Sequence, residues 1–248
     1  MRVKMIGVAT LFLVCSCASV RRPPAGEQMF VVMLGTGTPN AEPDRSGPAL
    51  AVVVGDRPYI VDCGPGVVRQ VTAAQRAGVQ ALQVASLTRL FITHLHSDHT
   101  AGYPDLILTP WVLGRDQPLE VYGPPGLASM TSHLLDAYAE DIQIRLYGSQ
   151  PQNEPGIQVN LHEVEPGMIY QDDLVRVIAF PVKHGEWKHA YGYRFESRDR
   201  SIVISGDTVA TDSVVGACNG CDVLVHEVYA ESGLVRQPPE WQRYHRAS

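Results

Sequence analysis

"FITHLHSDHTAGYPD", residues 91–105, places His94, His96, Asp98 and His99 within six positions, directly after the apolar run Leu90-Phe91-Ile92. The whole chain of 248 residues has only nine histidines, so this is a concentration of ligands and not background usage. Imidazole and carboxylate suit zinc and its neighbours among the transition metals. In an extended segment, residues i and i+2 share a face, so His94 and His96 can grip one ion. If the chain then turns into a helix near Thr100–Gly102, Asp98 and His99 face a second ion. Sites gather where strands run out into helices, and this cluster stands at such a junction.

Two other strand ends offer what the cluster lacks. "FPVKHGEW" ends a β-like run at His184, and "IVISGDT" ends another at Asp207, after Gly206. A polar residue at the tip of an apolar run points out of a sheet edge. Taken alone, Asp207 reads equally as a turn or helix-cap residue; beside the histidine cluster both become candidate ligands. Asp62, at the end of "YIVD", reads either as support for a ligand or as a turn residue.

Between these points, β-like runs alternate with turns and helical stretches. "FVVMLGTGT" reads as a buried strand, and "ALAVVVGDRPYIVDCG" as a hairpin turning through Gly55-Asp56-Arg57-Pro58. "PGVVRQVTAAQRAG" reads as a helix with Pro65 near its start and Gly78 at its end. Helices are expected from Gly102 to Gly114 and from Gly126 to Asp141, with "RLFITH" and "LEVYG" as strands. "QVNLHEVE", "LVRVIAFPVKH", "YGYRFES" and "SIVISGDT" follow as strands, then "VATDSVVGAC" as a short helix and "DVLVHEVY" as a last strand. The final "ESGLVRQPPEWQRYHRAS" shows no clear closing element. The pattern is α/β: two sheets face to face, covered by helices.

His133, His162 and His189 have no partner spacing and read as surface or structural residues, and His226, within an alternating strand, reads as packed or hydrogen-bonded rather than ligating. All three tryptophans could line a substrate pocket, although core or surface packing is the commoner fate for Trp111, on a helix. Trp187, three positions after His184, is the better candidate for a pocket wall.

These stretches, taken together, resemble the metallo-β-lactamase superfamily, and within it the ribonuclease Z-type branch, which also contains arylsulfatase-like enzymes. The matching segments are "LGTGTPN", "IVDCGPG", "ITHLHSDHTAGYPDL", "VKHG", "YGYRF", "SGDT" and "LVHEVY", in order across about residues 30–229. The resemblance implies an αββα sandwich with two zinc ions at one sheet edge. His94, His96 and His184 would hold one ion, Asp98 and His99 the other, and Asp207 would bridge. Asp98 would also act catalytically, orienting a water and accepting its proton. The family's further histidine on the second ion, and its last helix and strand, would lie beyond residue 248; His245 is not promoted to that role.

The implied activity is zinc-dependent hydrolysis of a phosphodiester or sulfate ester by a metal-activated water. The alternatives are a lactone or β-lactam hydrolase, or a chain that binds zinc and turns nothing over. A small-molecule ester is the expected partner. The net charge of −6 provides no basic footprint for a nucleic-acid backbone.

The chain opens as an export signal: Arg2 and Lys4, then apolar residues from Met5 to Val14, too few to span a bilayer. Val14-Cys15-Ser16-Cys17 resembles a bacterial lipobox, with Cys17 the lipidated residue. Cleavage near Ala18 or Ser19 is the alternative. Residues 1–28 are thus expected to be signal and tether, and 29–248 the hydrolase domain. The product would be exported by a bacterium, either periplasmic or held on the membrane by a lipid. Cys218-Asn-Gly-Cys221 lacks a second pair to complete a four-sulfur site and reads as an element junction or, after export, a local disulfide.

Overall fold

The computed structural model describes residues 28–247. The export segment, Cys17 and almost all of the tether lie outside the described residues. One sheet has the order β1 (Met29–Gly35), β2 (Ala49–Val54), β3 (Arg57–Val61), β4 (Arg89–Phe91), β5 (Leu119–Gly123) and β6 (Val159–Glu163). Its first three strands are antiparallel and the rest join in parallel. The second sheet runs from β7 (Gly167–Gln171) through β8 (Arg176–Pro181), β9 (Tyr191–Glu196) and β10 (Ser201–Ile204) to β11 (Val223–Val225).

Alternation along each strand sorts side chains between two cores. In β2, Val52 and Val54 face the second sheet and meet Tyr59, Phe91, Val177, Tyr193 and Phe195. Ala51 and Val53 face the other way, with Ile60, Leu90 and Val121, against helices α1 (Val67–Arg76), α3 (Tyr103–Val112) and α4 (Leu127–Ala137). Covered on both faces, β2 reads as an unbroken apolar run. On the outer face of the second sheet, Phe180 and Val203 pack on Val214 of α6 (Asp212–Ala217). The layers are therefore α, β, β, α, as expected from the pattern. Among the described residues, no helix is long and apolar enough to cross a membrane.

The structure corrects several local readings. The hairpin turns at Gly55-Asp56 alone: Gly55 takes φ 62°, so Arg57 and Pro58 already belong to β3. The long helix after Gly126 breaks at Tyr138, and α5 (Ala139–Tyr147) follows as a separate element. "GMIYQ" is β7, a strand that its Gly and mixed exposure had hidden. The closing segment forms α7 (Glu231–Leu234) and α8 (Pro239–Ala247). Like-ended strands bring β4, β8, β10 and β11 to one edge of the sandwich, and every candidate ligand follows one of them.

Candidate metal centre

The backbone leaves β4 at Phe91, bends at Thr93 and reaches His96, itself extended, which precedes the one-turn helix α2 (Ser97–Thr100). His94 is fully buried, and His99 and His184 nearly so. His94 Nε2 lies 2.9 Å from His96 Nδ1, and His184 Nε2 lies 3.0 Å from the same atom. The i, i+2 pair and a residue 88 positions later thus aim three nitrogens at one point. Burial lowers all three imidazoles below the usual histidine range, His94 to about 2 and His184 to about 4. At neutral pH each ring carries one proton and one lone pair. His96 Nδ1 has a single proton to share between two nitrogen neighbours, whereas one cation would take a lone pair from all three. The donor set fits a transition metal, and its spacing is close to that of adjacent ligands on one tetrahedral ion.

A second cluster adjoins the first. His99 Nε2 is buried and makes no well-formed hydrogen bond; it lies 3.3 Å from Asp207 Oδ1 and 3.8 Å from Asp98 Oδ2. Its other nitrogen, Nδ1, is 2.8 Å from Asp62 Oδ2. Burial alone would strip the proton from His99, but Asp62 and then Asp207 outweigh it and hold the imidazolium well above its ordinary range. Asp207 is driven down to about 2: burial opposes ionisation, and the close contact and charge of His99 prevail. Two carboxylates that keep a proton on a buried imidazole mark a place that calls for positive charge. His94, His99 and Asp207 offer ligand atoms within 4.8 Å of one another, as do His94, His96 and His184. Asp98 stands beside these groups and belongs to neither.

Asp207 reaches the cluster because Gly206 takes φ 63° and lets the backbone pass Thr93; a Cβ there would sit 2.9 Å from Thr93 Cβ. Asp62 is resolved as a support: it accepts from Thr93 N–H at 2.8 Å and from Thr93 Oγ1, and it orients His99. Thr93 Oγ1 in turn lies 3.0 Å from His94 Nδ1, which leaves His94 Nε2 its lone pair.

Glu227 is the residue that sequence reading passed over, although "LVHEVY" was among the matching stretches. It groups with His184 and Asp207 within 4.8 Å. The residue as a whole is exposed, but its carboxyl turns inward to accept from Thr208 N–H. Burial of that carboxyl, then the charge on Asp207, raise it to about 7. Adjacency in space to Asp207 was the missing signal. His226, its neighbour, is exposed, with Nδ1 2.8 Å from the Glu227 carbonyl. His133, His162 and His189 likewise sit away from the cluster, on Ser129 O, Glu120 and Tyr191. His245 lies on α8 among Tyr229, Trp241 and Tyr244. Trp111 is buried in the core, and Trp187 stands at the rim, donating to His96 Nε2. Cys218 and Cys221 form a disulfide at the α6–β11 turn.

Comparisons with known proteins give the family. The profile of the beta-lactamase superfamily domain matches residues 57–238. A ribonuclease Z of Mycobacterium bovis (strain BCG / Pasteur 1173P2) is 36% identical over 214 residues, covering 85% of this chain and 73% of that protein. A ribonuclease Z of Mycobacterium sp. (strain KMS) is 38% identical over 212 residues, covering 85% and 72%. Among solved structures, the short form of human tRNase Z superposes with a TM-score of 0.67 at 24% identity, over 87% of this chain and 86% of that one. Zinc-bound PqqB from Methylobacterium extorquens gives 0.59 at 19% identity, over 83% and 75%, a likeness of fold. The chain belongs to the beta-lactamase superfamily, among its ribonuclease Z-like members, and is a metal-dependent hydrolase.

Proposed function

We propose that this chain is a zinc-dependent phosphodiesterase. The observation that carries the reading is the convergence of His94 Nε2, His96 Nδ1 and His184 Nε2 on one point. These three would hold a first zinc ion, and Asp98 and His99 a second, with Asp207 shared between them. Bound there, the ions supply a water of lowered pKa and positive charge for the oxygen that gains negative charge in hydrolysis.

The side chains do the rest. Asp98, at the start of α2 and 3.8 Å from His99 Nε2, would orient the water and accept its proton. Asp62 fixes the His99 ring from behind, as a carboxylate behind a ligating histidine does. Glu227, raised to about 7 by burial and by the charge on Asp207, shares neutral pH between its protonated and ionised forms and so lightens the negative charge beside Asp207.

The phosphodiester class draws its support from relatives named ribonuclease Z at 36% and 38% identity. Their name also favours a second reading, an RNA substrate. Against it stand the net charge of −6 and the export-type opening. Export as a periplasmic or lipid-anchored protein is part of the proposal, and the Cys218–Cys221 disulfide supports it, because such bonds persist in oxidising compartments.

The test is hydrolysis of bis(p-nitrophenyl) phosphate, an aryl sulfate and a structured RNA by the zinc-loaded chain. Turnover of the phosphodiester that is lost on chelation and in Asp98→Ala is expected. Preference for the sulfate would replace the substrate class, preference for RNA would favour the second reading, and activity surviving Asp98→Ala would remove Asp98 from its role. Metal analysis of His96→Ala should show most of the first ion gone; content equal to the parent would misplace the site.

A further inference from the structure

We infer that Trp187 competes with the metal for His96 and that loading of the site displaces the indole. The inference rests on His96 ligating through Nδ1, as proposed above. The indole Nε1–H of Trp187 donates to His96 Nε2 at 2.7 Å, with the rings 4.7 Å apart and nearly perpendicular. An indole N–H can only donate. His96 Nε2 therefore presents its lone pair, and the neutral ring carries its proton on Nδ1. That is the nitrogen facing His94 Nε2 and His184 Nε2 at 2.9 and 3.0 Å.

An ion in the cluster needs the lone pair of Nδ1. The proton then belongs on Nε2, since a neutral imidazole holds one. Two N–H groups would face each other across 2.7 Å, and the contact becomes repulsive. The His96 ring is held by its place in the cluster, whereas the Trp187 side chain is on the surface and 37% exposed. The indole turns away. Its backbone stays tied, since Trp187 N–H donates to the His184 carbonyl at 3.0 Å. While the indole donates to Nε2, His96 Nδ1 keeps its proton and cannot ligate; once Nδ1 is given to an ion, the indole N–H is free at the rim of the site.

The full chain, labelled with ¹⁵N-tryptophan and stripped by a chelator, would be titrated with Zn²⁺ while its indole N–H resonances are followed and bound zinc is measured in parallel. Three tryptophans produce three signals, and Trp187→Phe assigns one of them. The Trp187 signal should leave its hydrogen-bonded position in step with zinc uptake. The Trp111 signal should stay, because its N–H donates to the Asn153 carbonyl at 2.7 Å. Trp187→Phe keeps the ring and loses the donor, so it should bind zinc roughly two- to tenfold more tightly, the worth of one net hydrogen bond. Full zinc uptake with an unmoved Trp187 signal, or a Trp187→Phe affinity equal to or weaker than the parent's, would overturn the inference while leaving the metal reading intact. No uptake by the parent chain would overturn both.

Discussion

Asp62 adopts a left-handed conformation, φ 58°, that few residues other than glycine accept at low cost. The cost is offset by what the turn achieves: one carboxylate accepts from Thr93 N–H, from Thr93 Oγ1 and from His99 Nδ1. It therefore fixes both the ring of His99, by holding the proton on Nδ1, and the position of the strand end that carries His94. Asp62→Asn keeps an acceptor and loses the charge. It is expected to weaken metal binding at the His99 cluster by about 10–100-fold, the usual effect of losing a partner behind a ligand. Competition with a chromophoric chelator measures this, and an unchanged affinity would show that His99 needs no such partner. Asp62 ends an apolar run, so its place beside the site was legible. Its partnership with a histidine 37 positions later was not, because that contact exists only once β3 and β4 lie side by side.

Helix α3 carries Pro110 in its interior. A proline there has no N–H, so the Leu106 carbonyl four residues earlier loses its helical partner. Arg115, just past the helix end, folds back and supplies the donor: Nη1 reaches Leu106 O at 3.0 Å and Nη2 reaches Ile107 O at 2.7 Å. The same guanidinium meets the carbonyls of Leu87 and Gly156, and so ties α3 to the chain before β4 and before β6. The side chain is 1% exposed, and burial lowers it to about 10. It still remains charged at neutral pH. Arg115→Met should destabilise the chain by about 3 kcal/mol in urea unfolding, since four buried carbonyls lose a charged donor. In a Pro110→Ala background the loss should shrink, because the backbone N–H restored at that position can satisfy the Leu106 carbonyl. Strict additivity of the two substitutions would deny the link. Neither Pro110 nor Arg115 announces this pairing in sequence: a proline inside an apolar helix looks like an interruption, and an arginine after Gly114 looks like surface.

The two sheets are joined at the end away from the metal centre by a polar clamp. Asp172, beyond β7, accepts from Arg57 and Tyr59 of β3 and from Tyr170 of β7, each at 2.7 Å. Burial favours the neutral acid, but the hydrogen bonds from Tyr170, Tyr59 and Arg57 outweigh it and hold the carboxyl below its ordinary 3.8. A carboxyl depressed in the folded state stabilises fully above its unfolded pKa, and that stability fades as pH falls below it. The metal-free chain should therefore lose stability below about pH 4, and Asp172→Asn should flatten that loss while lowering stability at pH 7. Urea midpoints across pH 3–7 check both; a parent and variant with parallel profiles would assign the acid sensitivity elsewhere. At the same scale, if the export proposal holds, chain recovered from the cell envelope should be two hydrogen atoms lighter by intact mass than its reduced form, through the Cys218–Cys221 disulfide. Reduced thiols there would count against the export proposal.

What the sequence determined by itself is what lies within a few residues. The i, i+2 spacing of His94 and His96, the turn into α2, and the apolar runs that end at His184 and Asp207 follow from backbone periodicity, and they sufficed for the layered fold and the candidate ligands. Tertiary structure alone decided how those strand ends meet. His184 joins His96 across 88 residues, and Trp187 across 91, because β4 and β8 lie in facing sheets that end at the same edge. Glu227 enters the site for the same reason: β11 lies parallel to β10, so the residues that follow them, Glu227 and Asp207, emerge together. Local propensity reaches only as far as one turn or one pleat. The packing of two sheets on a shared core sets which chain ends become neighbours, and a proton's place on His96 depends on that neighbour.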